Sequence, residues 1–75
     1  MTRIGESEVT ERARQALNGS PVRAMRGLKV DLSSSGLLIS GTVSRYYHKQ
    51  LAQELVLAVV RDVEIKNSVE VRSIA

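Results

Sequence analysis

Apolar and polar positions along this chain fall into two kinds of repeat. Leu28-Lys29-Val30-Asp31-Leu32 alternates strictly, which predicts a half-buried strand. Ser33-Ser34-Ser35-Gly36 is a turn cluster, and residues 37–43 predict the return strand of a hairpin. Leu37, Ile39 and Val43 share one face with Gly41, and Leu38, Ser40 and Thr42 share the other. The run Leu37-Leu38-Ile39 marks this strand as the central one. Val63, Ile65, Val69 and Val71 alternate with Glu64, Lys66, Ser68, Glu70 and Arg72, predicting a third strand with Asn67 on its apolar face.

Two stretches carry helical spacing instead. Val9, Ala13, Ala16 and Leu17 form a narrow stripe over residues 8–17. Ser7 is the expected N-cap, with Glu8 and Glu11 in the first turn where the helix dipole favours acids. Asn18-Gly19 stops this helix. Pro21 opens an ordered connection over 20–27, anchored by Val22 and Met25. Residues 45–60 predict a second helix with Ser44 as N-cap. Its expected core stripe is Leu51, Leu55, Ala58 and Val59, widened by Ala52. The run Leu55-Val56-Leu57-Ala58-Val59-Val60 lacks a polar face, so Leu57 and Val60 are expected to be covered by something.

The order is α-β-β-α-β. It predicts an α+β fold with both helices on the one apolar face of a three-stranded sheet, and a strand–helix–strand unit that is right-handed if its two strands are parallel. Residues 8–72 form one domain, and residues 1–7 a flexible N-terminus.

Composition narrows function more than fold. The chain has 75 residues, 43% hydrophobic and 25% charged, enough for one small core. With no cysteine and a single histidine, His48, neither a disulfide nor a multi-ligand zinc site is expected. The net charge is +3. Arg12, Arg14, Arg23, Arg26 and Lys29 stand in a stretch without one acid, whereas acids and bases balance from Asp31 onward. Such a bias attracts phosphates, lipid headgroups or acidic proteins. No signal peptide or membrane-length apolar run is present. The expected location is cytoplasmic as written, and periplasmic or membrane-associated if the chain is cut from a larger protein.

Leu37, Ile39, Ser40, Gly41 and Val43 spell an apolar-x-Leu-Ser-Gly-x-Val pattern with Ile at the Leu position. A helix containing Ala52 follows, then a closing strand with Ile65, Asn67, Val69 and Val71, and Ala16-Leu17 lies near the end of the first helix. This set resembles the BON domain, a small bacterial module of osmotically inducible and nodulation proteins. The chain departs from the pattern in placing its turn glycine at Gly36, in carrying Leu38 where a polar residue is commoner, and in having Arg61-Asp62 before the closing strand. It is therefore similar to a divergent member. The resemblance implies a three-stranded mixed sheet with two helices packed on one face, and a non-enzymatic docking module for phospholipid surfaces or envelope partners, with no catalytic residues or cofactor to transfer.

The residues themselves offer few other sites. Tyr46-Tyr47-His48-Lys49 gathers the chain's two tyrosines at a helix start whose backbone N–H groups can meet an anion. With Arg23 and Arg26 these are the candidate contacts for anionic phospholipid or another protein. Alternatively one tyrosine packs on the core. Leu57 and Val60 are the candidate apolar interface for the competing reading, self-association or a homodimer through the second helix. Gly41 and Asn67 are structural positions, Gly41 leaving a gap that seats a helix. The serine cluster lacks the lysine and helix of a phosphate loop. Nucleic acid is disfavoured because there is no Phe or Trp to stack on bases. No small-molecule substrate is evident, and His48 has no carboxylate at partner spacing.

Overall fold

A computed structural model describes residues 4–72. Its elements are helix α1 (Ile4–Asn18), a 3₁₀ turn (Arg23–Gly27), strands β1 (Lys29–Ser33) and β2 (Gly36–Val43), helix α2 (Tyr46–Leu57) and strand β3 (Ile65–Val71). The expected α+β order is present, with β2 central, β1 antiparallel to it and β3 parallel. Both helices contact one another and the sheet. The register sets Val30 beside Ile39 and Leu32 beside Leu37, with Ile65 and Val69 beside Leu37 and Gly41. One sheet face is thus continuously apolar, and the helices cover it.

Several boundaries differ from the sequence expectation. α1 already runs from Ile4, so Ser7 lies inside the helix and is not its cap. Residues 1–3 of the expected flexible N-terminus lie outside the described residues. α1 does end at Asn18, where the Gly19 N–H donates to the Gln15 carbonyl at 2.8 Å. The connection is anchored as expected by Met25, which is fully buried, and Val22, whose N–H donates to the Ser20 hydroxyl at 3.1 Å.

α2 stops at Leu57, short of residue 60. Its buried residues are Ala52 and Val56, and Val60 continues the line at 3% exposure. Leu51 and Leu55 are only half-buried, and Ala58 and Val59 are exposed. The run 55–60 is apolar at nearly every position, so its pattern does not show which side faces the sheet. The helix's end then turns Val59 outward. Val60 belongs to the core and is not available as an interface, while Leu57 is 47% exposed.

Two glycines let β2 accept its neighbours. Gly41 does not seat a helix. A Cβ there would lie 2.7 Å from Leu28 Cδ2, so the gap is filled by the residue joining the 3₁₀ turn to β1. Gly36 does the same for β3, since a Cβ would meet the Glu64 carbonyl oxygen at 2.5 Å. Both adopt positive φ, +132° at Gly36 and +134° at Gly41, where an L side chain is strained.

The two gaps predict different costs. Leu28 can shift, but the Glu64 backbone is tied to β2 by the Leu37 N–H at 2.8 Å. Gly41→Ala should lose about 1–3 kcal/mol, and Gly36→Ala should lose more, measured as urea unfolding midpoints. Equal or negligible losses at the two positions would contradict this packing.

Candidate functional site

Because β3 is parallel to β2, both strands end at the same side of the molecule, and α2 begins there. The Arg72 N–H donates to the Val43 carbonyl at 2.7 Å, fixing the two strand ends together. β1 is antiparallel and so starts near this end, with Lys29 beside Ser40. The 3₁₀ turn packs against α2 and β2. One end of the molecule therefore collects Arg23, Arg26, Lys29, Arg45, Lys49 and Arg72, with Glu70 beside Thr42 and Asp31 on the same face of β1 as Lys29 as the nearby acids. Lys49 and Arg72 line one shallow depression with Ser68 and Glu70.

Ion pairing sharpens this asymmetry. On α1, Arg12 pairs with Glu8 and Arg14 with Glu11, each at 3.0 Å, so those two bases of the sequence's basic stretch are locally balanced. Among the described residues, Arg23, Lys29, Arg45 and Lys49 have no carboxylate partner. Arg26 donates to the Ser20 carbonyl at 3.4 Å, and Arg72 has a loose exposed contact with Glu70 at 3.6 Å. Glu8, Asp62 and Glu64 lie toward the opposite end, around the β1–β2 turn and the α2–β3 connection.

The start of α2 adds to the positive field. Its N-cap is Arg45, one residue later than expected, with no side-chain cap and no acid in the first turn. The positive end of the helix dipole is thus left uncompensated. Neither tyrosine packs in the core: Tyr46 is 68% and Tyr47 63% exposed. Helical spacing separates them. Tyr47 shares the flank of Leu51 and Leu55, and its ring lies 5.7 Å from that of half-buried His48. Tyr46 joins Gln50, Gln53 and Leu57 in a groove on the β3 side. Among the described residues, His48 Nδ1 is buried without a hydrogen-bond partner.

Asn67 is a structural latch. Its Nδ2 donates to the Lys49 carbonyl at 2.8 Å and to Gln53 Oε1 at 3.3 Å, and its Oδ1 accepts from the Val69 N–H at 3.2 Å. It ties the first turns of α2 to β3 and so fixes where Lys49 stands.

The structure brings the sequence candidates Arg23, Arg26, Tyr46, Tyr47, His48 and Lys49 to one end, with Tyr46 and Lys49 sharing the groove on the β3 side. Lys29 belongs to the acid-free basic stretch, whereas Arg45 and Arg72 escaped sequence reading because acids close in sequence balance them formally. The strand–helix–strand order was the available signal for Arg72, since a parallel return sets the end of the third strand beside the end of the second. Among the described residues no group of His, Asp and Glu can hold a metal, and no helix is long and apolar enough to cross a membrane. No family model matches the chain, and no curated protein matches it.

Arg45 sits with extended dihedrals, φ −136° and ψ 144°, suited to a side-chain cap. Arg45→Asp should therefore raise stability by about 1 kcal/mol, read as a higher urea midpoint. A lowered midpoint would mean that the α2 N–H groups need no cap.

Proposed function

We propose that this chain is a BON-like docking module that rests its basic end on anionic phospholipid headgroups. The observation supporting this reading is the convergence of Arg23, Arg26, Lys29, Arg45, Lys49 and Arg72 on one end, mostly without carboxylate partners. Bases so placed are each worth about 1 kcal/mol at an anionic surface. Tyr47 contributes an aromatic ring with a polar tip, a side chain suited to the headgroup layer. The contact is peripheral and electrostatic, with no inserted helix. Binding rather than catalysis is favoured because the site offers dispersed positive charge and no nucleophile–base arrangement.

Co-sedimentation with vesicles tests this. The chain should bind phosphatidylcholine vesicles that contain phosphatidylglycerol, and not phosphatidylcholine alone. Binding should fade as salt shortens the screening length from about 10 Å at 0.1 M to about 3 Å at 1 M. Arg23→Gln with Arg26→Gln should weaken it by about thirtyfold, and Arg61→Gln at the far end should not. Equal binding to neutral vesicles, or equal losses from both sets of substitutions, would overturn the proposal.

A further inference from the structure

β3 is an edge strand, and its charge pattern is complementary to itself when reversed. The Leu37 N–H donates to the Glu64 carbonyl and the Arg72 N–H to the Val43 carbonyl, so the even-numbered residues of β3 turn their backbone groups toward β2. Ile65, Asn67, Val69 and Val71 turn theirs outward, to a side where no strand of the described residues lies. Such an edge is a template for another strand. The even-numbered side chains stand on the open face of the sheet in the order Glu64, Lys66, Ser68, Glu70, Arg72.

We propose that β3 pairs antiparallel with β3 of a second copy about a twofold axis at Ser68. In that register Lys66 faces Glu70 and Glu64 faces Arg72 of the other copy, and the twofold repeats both pairs. Opposite charges across strands stabilise a pairing, and like charges oppose it. Moving the axis to Asn67 sets Glu64 against Glu70, and moving it to Val69 sets Lys66 against Arg72. Parallel in-register pairing sets every charge against itself. The exposed Arg72–Glu70 contact within one chain gives way at little cost. The Val69 N–H passes from Asn67 Oδ1 to the Asn67 carbonyl of the second copy.

The helices fit the same axis. α2 packs on both β2 and β3, so the two α2 axes would stand about two strand spacings, roughly 10 Å, apart. That is a normal helix packing distance. α2 runs opposite to β3, which brings exposed Tyr46 of one copy against exposed Leu57 of the other across the Gln50 and Gln53 groove. A second copy thereby covers both apolar side chains that α2 leaves in water on this flank.

Sedimentation across a concentration series, combined with charge exchange, tests the register. The chain should dimerise. Lys66→Glu and Glu70→Lys should each raise the dimer Kd by about tenfold, and the double exchange should restore it. The sequence has no cysteine, so Ser68→Cys can crosslink only to its own copy. Its position on the axis, with Cα atoms about 4.5 Å apart, is within disulfide reach. Ser68→Cys should oxidise to a covalent dimer much faster than Thr42→Cys on the same face of β2. A chain that stays monomeric at high concentration, equal crosslinking at both positions, or a double exchange no better than the singles would overturn self-pairing and leave the edge to a strand of another protein.

Discussion

The parallel pairing of β2 with β3 is the constraint on which the rest of this small molecule depends. Two parallel neighbours cannot be joined by a turn, so α2 must carry the chain back along the sheet. That return fixes the start of α2 and the ends of β2 and β3 at one side. Two local devices hold it: Gly36 admits the Glu64 backbone, and Asn67 binds the first turns of α2 to β3. On the β1 side, Gly41 admits Leu28. The core they enclose is modest, built on Leu17, Met25, Leu37, Ile39, Val56 and Val69. In so short a chain each of these contacts is a large share of the stability.

Charge segregation follows from the same geometry. The acids that balance Arg45, Lys49 and Arg72 along the sequence are largely carried away by chain direction, with Asp62 and Glu64 entering β3 at the far end and Arg72 leaving it at the near one. A nearly neutral second half becomes a basic end and a more acidic one. The uncapped start of α2 sits where a capping acid would weaken that field. Self-pairing through β3 would have a geometric consequence. A twofold axis normal to the sheet points the two basic ends in opposite directions, so a dimer would span two anionic surfaces rather than lie flat on one.

Much of the architecture was legible because strict alternation leaves little choice. Residues 28–32 and 37–43 each bury one side, 63–72 half-buries one around Val69, and Leu37-Leu38-Ile39 marks the central strand. Helical spacing located both helices, and Asn18-Gly19 the end of α1, but not the starts of the helices or the end of α2. Ser7 and Ser44 are good capping residues that the chain does not use as caps. The run 55–60 hid its core face because nearly every position is apolar, which is why Val60 looked like surface and Val59 like core. Gly41 advertised a close approach without saying whose. At the candidate site, Tyr46–Lys49 and the 3₁₀ turn arginines were readable as local clusters. Arg72 was not, since its nearness comes from strand direction and pairing.

The most direct measurement of the central claim is amide-resolved NMR broadening by spin-labelled lipid in anionic vesicles. The account predicts that the amides of residues 23–27, 45–49 and 72 broaden together, while those around the β1–β2 turn and the α2–β3 connection do not. Broadening centred on the far end, or spread evenly over the surface, would contradict it.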